Sequence, residues 1–557
     1  MCACLPCAFT LKDEDRQNKP SAVHGLSRDG RQSDRQTRAQ ALHAMAPCPL
    51  PQVRSVGNVV AAGQPRQTAG SDTRPNRTTP GIVSAADPIL AGLAGLTRPD
   101  TPSTPKSGEF VADAAEESIP ARIKARFGRC PMLIEAISQT TLGNTYILQN
   151  DDDLHVGSAV TIHATWTDPA SHTGVDTVIS WTGTHRIIVD GTILAADECI
   201  NLVGCVTAQT VTINATGRLT SGGDGVVADA DGVILDGIGS ILRNDGVISS
   251  YGSAASLVVP DAGTTTVINT GTMTGRVSGV WHKWGNGTLV LKNTGLIESD
   301  AYSVLGGGGA DLVTNQGTLR GTVDLAGGND LYDGRGGQVQ GRILGGDGND
   351  SFIAGTGAET IDGGLGLDTL DFSASAVSVT VSLFNALNNR GDAAGDVYTG
   401  IETILGSTHA DRLTGDSHAN TLTGKGGADV LYGAAGDDRL TGGTGIDTLT
   451  GGAGADSFVF TSTQGNGDSL TDFASGVDHI LLRAAAFGYG GTRGALSNLD
   501  LVIGSAPQAL DASDHFLFRT TDATLWFDRD GSGQAAAVLV ADLQAGATLG
   551  AADILLF

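Results

Sequence analysis

An acidic side chain, once replaced by asparagine, returns every ninth residue in two stretches of this sequence, each time five residues after a glycine or alanine and two before a single large apolar side chain. Residues 345–371 divide without remainder into Gly345-Gly-Asp-Gly-Asn-Asp350-Ser-Phe352-Ile, Ala354-Gly-Thr-Gly-Ala-Glu359-Thr-Ile361-Asp and Gly363-Gly-Leu-Gly-Leu-Asp368-Thr-Leu370-Asp. Residues 406–459 add six nonapeptides in unbroken phase, with Asp411, Asn420, Asp429, Asp438, Asp447 and Asp456 in sixth place and Leu413, Leu422, Leu431, Leu440, Leu449 and Phe458 in eighth. If each repeat forms a turn and a short strand, the sixth position stacks carboxylates at roughly 4.8 Å, the inter-strand spacing. Two such charges repel by about 4 kcal/mol at an effective dielectric near 20. A Ca²⁺ ion, which takes oxygen ligands at about 2.4 Å, fits midway between them and turns repulsion into bridging. Glycine at the first, second and fourth positions allows the tight turn and close backbone approach this requires.

The pattern resembles G-G-x-G-x-D-x-U-x, the repeat of RTX proteins, also called hemolysin-type calcium-binding repeat proteins. The resemblance implies a parallel β-roll in which two nonapeptides make one coil of 18 residues, with sites between nonapeptides two apart. Asp350 then pairs with Asp368, Asp429 with Asp447 and Asp438 with Asp456. The resemblance also implies that first- and third-position carbonyls complete each shell: Gly345, Asp347, Gly363 and Leu365, then Gly424, Gly426, Gly433, Ala435, Gly442, Thr444, Gly451 and Ala453. Asn420 replaces the acid, and His409 and His418 replace the fourth-position glycine, so the first coil of the second block is expected to bind weakly.

What positions this column begins earlier. Glycine followed two residues later by an aliphatic recurs at Gly191, Gly217, Gly246, Gly271, Gly295, Gly317 and Gly337, with Asn244, Asn269, Asn293 and Asn315 two residues before four of them. A period of 20–30 residues built of β-branched runs and turns predicts a parallel β-solenoid, each coil burying its aliphatics on the next, with stacked Asn side chains hydrogen-bonding along the axis. The alternative is a β-sandwich with irregular hairpins. The segment Gly306-Gly-Gly-Gly-Ala-Asp311 fits the turn pattern, and Asp311, Asp330, Asp350 and Asp368 follow at steps of one coil. Calcium binding is therefore expected to start on the solenoid, at Asp311 and Asp330, with that pair weakest.

The fold class expected is all-β: a parallel β-solenoid (131–344) continuing into an RTX parallel β-roll (345–371 and 406–459) around an insert at 372–405. A disordered segment (1–130) precedes it and a β-rich C-terminal flank (460–557) follows. Charge and cysteine mark the first boundary. Of 34 basic and 60 acidic side chains in 557 residues, 17 and 12 lie in residues 1–130, leaving 17 against 48 beyond. The seven Cys stop at Cys205, so no disulfide framework holds the repeats, and Cys2, Cys4 and Cys7 lack a second ligand pair for zinc. The formal net charge of −26 excludes nucleic acid as an expected partner, and no apolar run spans a bilayer. No Sec-type signal peptide is visible. The stretch Asp468 to Ile480 and the ending Ala552-Asp553-Ile-Leu-Leu-Phe557 resemble the family's C-terminal flank and uncleaved type I secretion signal, implying type I secretion machinery as a partner and a secreted, extracellular location outside a Gram-negative bacterium. The Asp528-Arg-Asp530-Gly turn has Leu539, not Glu, twelfth, so a hairpin turn is expected there rather than an EF-hand.

No His-Glu-x-x-His zinc site and no Gly-x-Ser-x-Gly elbow is present, and the Tyr-Gly-x-Asp-Pro-His motif of alginate epimerases is missing. Asp151, Asp152, Asp153, His155, His163 and His172 cluster in sequence, although the alternating run Val160 to Trp166 places His163 on an ordinary polar strand face. The expected function is a secreted calcium-binding RTX repeat protein, a non-catalytic extracellular scaffold, adhesion or matrix protein whose cofactor is Ca²⁺ and whose repeats fold on binding it. The alternative is a polysaccharide-acting enzyme using the groove of the 140–340 solenoid. Cell-surface or matrix polysaccharide is a further partner under either reading.

Overall fold

The computed structural model describes residues 133–557 apart from 137–139, 143–145, 150, 165–177, 223–229, 464–466 and 490–492. The expected disordered segment 1–130, with its five Cys, and His172 lie outside the described residues. Within them the chain winds into parallel coils whose strands form two 18-stranded sheets and one 9-stranded sheet.

Alternation dictates the strands. Thr192–Ala195, Thr210–Ile213 and Leu312–Asn315 each place every second side chain inside and leave Thr or Leu half-buried outside. One inward column runs the length of the first sheet. Leu154, Ile187, Val211, Leu242, Val267, Leu291 and Val313 stack in register. Tyr332, Phe352, Leu370, Ile404, Leu422, Leu440, Phe458, Ile480 and Ile554 continue the same row without a break. Every member is fully buried, at roughly 1.5–3 kcal/mol for each aliphatic or Phe side chain removed from water. Solenoid and roll therefore share one core. The buried thiols of Cys199 and Cys205 belong to that core and are not disulfide-bonded.

The second sheet carries the Gly-x-aliphatic repeats. Strands beginning at Thr192, Arg218, Val247, Thr272, Leu296, Thr318 and Gln338 pair in sequence order. Glycine precedes each because the coils touch there: a methyl carbon on Gly271 would run into the Gly246 carbonyl of the coil before. Upstream coils hold three strands, as in Arg186–Val189, Thr192–Ala195 and Ile200–Leu202. At Leu296–Leu305 the last two fuse into one strand of 10 residues, they part once more as Gln338–Gln340 and Ile343–Asp347, and from Ser351–Ile353 and Thr360–Leu365 onward the coil is the two-strand coil of the roll.

The insert expected at 372–405 is narrower than that. Val397–Thr399 pairs with Thr360–Asp362, and Thr403–Leu405 pairs with Thr369–Asp371, so residues 397–405 form a coil of the roll despite lacking the glycine spacing. Buried Tyr398 and Ile404 supply the inward side chains that define a coil. The remaining stretch hands the opposite face from the second sheet to the third, which starts at Thr380–Ser382 and continues through Arg412–Thr414, Val430–Ala435 and Thr448–Ala453. In the flank, His479–Leu482 and Ile554–Leu556 extend the first sheet, while Asp468–Leu470 and Val538–Leu543 extend the third. Asp528–Ala537 joins two antiparallel strands as a hairpin loop.

Candidate metal centre

The residue immediately before each short strand marks an edge of the roll, and carboxylates occupy it coil after coil. On the first-sheet edge these are Asp311, Asp330, Asp350, Asp368, Glu402, Asp438, Asp456, Asp478 and Asp553, interrupted by Asn420. Each accepts a hydrogen bond from the coil before. The amide N–H of Asp311 donates to Asp330 Oδ1 (2.7 Å), Asp330 to Asp350 (2.8 Å), Asp350 to Asp368 (2.7 Å) and Asp438 to Asp456 (2.9 Å). The opposite edge repeats the arrangement from Asp411 to Asp429 (2.8 Å), Asp429 to Asp447 (2.8 Å) and Asp447 to Asp468 (3.0 Å). The expected pairs Asp350/Asp368, Asp429/Asp447 and Asp438/Asp456 are thus neighbours, and Asp311, Asp330, Asp350 and Asp368 lie along one edge.

One oxygen of each carboxylate is used in this way. The other, Oδ2, is buried without a hydrogen-bond partner in Asp330, Asp350, Asp368, Asp429, Asp438 and Asp447. A buried acceptor left bare costs about 1–3 kcal/mol, and more when charged. Burial accordingly pushes the carboxyls up, only partly offset by the donated N–H: Asp330 and Asp468 to about 8, Asp429 and Asp438 to about 7, Asp368 to about 6. Asp350, Asp447 and Asp456 are raised for the same reason. Repulsion from the stacked neighbours adds to it at Asp330, Asp368, Asp429, Asp438 and Asp456.

The bare oxygen faces the first-position glycine. A methyl carbon on Gly424 would collide with Asp429 Oδ2 and crowd the Gly442 carbonyl, and one on Gly433 would meet Asp438 Oδ2 and the Gly451 carbonyl. Gly345 stands in the same relation to Asp350 and the Gly363 carbonyl. Side chain and carbonyl oxygens thus converge on a space too small for a methyl group. The third-position carbonyls of Asp347, Leu365, Thr444 and Ala453 accept N–H bonds from the preceding coil at 2.8–2.9 Å and keep a second lone pair. Gly426 and Ala435 occupy the matching places opposite Thr444 and Ala453. An all-oxygen set with one or two carboxylates and several carbonyls fits a hard cation such as Ca²⁺. Among the described residues no three His, Cys, Asp or Glu side chains converge as a transition-metal site would need.

Other members of the two columns differ, among them Asp478, whose Oδ2 accepts the Ala474 N–H (2.8 Å), and Asp553, which takes the Ser475 hydroxyl and the Gly476 and Gly550 N–H groups. Asp311 Oδ2 accepts the Gly307 N–H (3.1 Å) and lies 3.5 Å from Nδ1 of the buried His282, so it lacks the bare oxygen of Asp330. Ser407 supplies both amide and hydroxyl to Asp411. Asn420 is satisfied outright: its Oδ1 accepts the Asp416 N–H (2.8 Å) and its Nδ2 donates to the Ile401 carbonyl (3.3 Å). His418 is exposed beside Asp416 and His409 beside Ser407. The upstream cluster is not gathered either, since Asp151 and Asp153 cap the backbone of Thr184 and Arg186 while His155 pairs with Asp190 at 2.7 Å. Sequence spacing missed Glu402, Asp468 and Asp478 as rungs because the insert and flank break the nine-residue phase. The surviving signal is an acid directly before a short alternating strand.

The RTX calcium-binding nonapeptide repeat, in four copies, matches residues 341–370, 397–431 and 432–461. Its second segment begins at the coil hidden in the insert. No curated protein sequence matches the chain. Among solved structures, the AlgE6R3 subunit of the Azotobacter vinelandii mannuronan C5-epimerase is 28% identical, covering 27% of this chain and 80% of its own, with a TM-score of 0.19. The extracellular lipase LipA from Serratia marcescens is 19% identical, covering 49% of this chain and 45% of its own, with a TM-score of 0.18. Repeat match, coil geometry and oxygen-lined turns agree that residues 341–370, 397–431 and 432–461 are RTX calcium-binding nonapeptide repeats.

Proposed function

We propose that this is a secreted protein whose roll folds on meeting Ca²⁺ outside the cell, serving a non-catalytic scaffold, adhesion or matrix role. The observation that carries the calcium dependence is the set of six buried, unpartnered Oδ2 atoms, one per turn. Asp330, Asp350, Asp368, Asp429, Asp438 and Asp447, with Asp456 completing the last pair, would hold the ions. Asp311, its second oxygen already engaged, would contribute least. First- and third-position carbonyls would share the shell. The bound ion would supply charge compensation alone, bridging coils that otherwise repel. Where calcium is scarce, the 48 acidic groups after residue 130 would keep the repeats open for export through a type I machinery. Where it reaches the roughly 10⁻⁴ to 10⁻³ M range of extracellular modules, binding and folding would coincide. No helix among the described residues is long and apolar enough to cross a membrane.

Circular dichroism of the full chain, titrated with CaCl₂ from a chelated start, tests this. A gain of β-signal with calcium is expected, and equal β-content in chelator would overturn it. Incubation with a polysaccharide panel in millimolar calcium addresses the scaffold role, since release of new chain ends would show an enzyme instead.

A further inference from the structure

One edge of the solenoid, where the third strand of each coil turns back into the first, carries a line of bare apolar side chains. Trp181, Val206, Ile238 and Trp284 stand where five successive coils make that turn, with Pro260 on the fourth, and each of the four is more than half exposed. The turns stack directly. Cys205 Sγ donates to the Ser180 carbonyl (3.6 Å), and a methyl carbon on Gly237 would run into the Thr207 carbonyl. One on Gly263 would crowd the Ile238 side chain, and the Val259 N–H donates to the Trp284 carbonyl (2.9 Å). Four coil steps of roughly 4.8 Å put the two outer indoles about 19 Å apart along the axis.

The downstream end of this edge is built as well as exposed. Lys283 Nζ lies 5.0 Å from the Trp281 ring centre and 4.8 Å from that of Trp284. The same ammonium is 3.7 Å from Oδ2 of Asp231, two coils back. Asp231 is itself buried, and its Oδ1 accepts the Ser253 N–H (2.7 Å). The acid anchors the cation, and the cation holds both indoles by attraction to their faces. Backbone groups along the edge are already spent, the Gly239 N–H on the Thr264 carbonyl (2.9 Å) and the Asn286 N–H on Asp261 Oδ1 (3.0 Å). A partner adding a β-strand would find those donors occupied, so what the edge offers is fixed aromatic surface and an ammonium.

We propose that this edge binds a neutral polysaccharide laid along the solenoid axis, with Trp284 and Trp181 as stacking platforms at its two ends. A pyranose ring has an apolar C–H face and a hydroxyl rim. The face packs on an indole, and the rim takes hydrogen bonds from Lys283 Nζ, which has N–H groups to spare beyond Asp231. Only a chain of sugars reaches both indoles, with Val206 and Ile238 under its middle. The chain is neutral because an acidic polymer would meet a protein of net charge −26 whose Lys283 is already balanced by Asp231. Rings fixed in advance lose little entropy when a sugar settles on them. On the adhesion or matrix reading above, on which this rests, such a polymer is the partner that role requires.

Affinity gel electrophoresis of the full chain in millimolar CaCl₂ tests this, with hydroxyethyl cellulose, xyloglucan, galactomannan or dextran cast in the gel and polygalacturonate as the acidic comparison. Retardation by at least one neutral polymer is expected, weakened severalfold or more in Trp284→Ala and less in Trp181→Ala. Trp526→Ala, which removes an indole under Arg519 in the C-terminal flank, is expected to migrate as wild type. Oligosaccharides of the retarding polymer should bind more tightly with length until they span both indoles. No retardation by any neutral polymer, equal retardation of wild type and Trp284→Ala, or retardation by polygalacturonate alone would overturn the proposal. So would sedimentation showing a dimer that Trp284→Ala dissolves, since the edge would then face a second copy. None of these failures touches the calcium-driven gain of β-signal. Release of new chain ends by a retarded protein would keep the site and overturn the non-catalytic reading alone.

Discussion

The solenoid at 186–340 and the roll at 341–461 stack the same kind of turn on the same continuous core, yet they treat the polar group inside that turn in opposite ways. In the solenoid, along the column Asn244, Asn269, Asn293 and Asn315 and up to the coils where the carboxylates begin at Asp311 and Asp330, it is an amide. Asn244, Asn269 and Asn293 each donate to the next rung, Asn315 donates to the Gln338 carbonyl, and Asn244, Asn293 and Asn315 also accept the N–H of the glycine two residues on, so the column is satisfied from within. In the roll it is a carboxylate, which can only accept. At Asp350, Asp368, Asp429, Asp438 and Asp447 one oxygen takes the N–H of the coil before, and the other is left bare. The backbone geometry is shared and the requirement for an outside cation is not. Asn420 makes the point inside the roll, where an amide in the carboxylate's place leaves nothing unsatisfied.

Removing calcium should separate the two regions most sharply. In excess chelator, hydrogen exchange of the full chain is expected to show residues 341–461 open and 186–315 still protected. Uniform protection would erase the contrast. Acid should then stand in for the ion. Because Asp330, Asp368, Asp429, Asp438 and Asp468 are held at about 6 to 8 by burial, the folded roll binds protons that the unfolded chain, with its ordinary carboxyls near 4, does not. Without calcium its stability is therefore fully present below about pH 4 and lost as pH rises through 6 to 8. Circular dichroism in chelator should show more β-structure at pH 5 than at pH 8, and the reverse order would refute the assignment.

Single substitutions sharpen the comparison further. Asp330→Ala is expected to lower calcium stoichiometry by one and loosen the junction between solenoid and roll, read by dialysis and by exchange of residues 312–333. Asn420→Asp exchanges a self-satisfied rung for a bare oxygen, so calorimetric titration should find an additional weak site. The smallest effect belongs to the amide ladder: Asn269→Ala should cost about 1–3 kcal/mol from its orphaned neighbours. Chemical denaturation should give the same loss with and without calcium.

Much of this was legible in the sequence because solenoids are nearly one-dimensional. Contacts run between neighbouring coils, so a period in the chain becomes a stack in space, and the Gly-x-aliphatic and nonapeptide spacings yielded the strands, the Asn ladder and the paired aspartates. Period alone could not find Glu402, Asp468 or Asp478, because the insert and flank change the coil length while the strand register carries on unbroken. Nor could it tell Asp311 from Asp330. Both open the same kind of strand, and only packing brings His282 and the Gly307 amide to one and leaves the other bare. Local repetition determined which residues stack. Tertiary packing decided which of the stacked oxygens are already satisfied, because that depends on what the neighbouring coil presents.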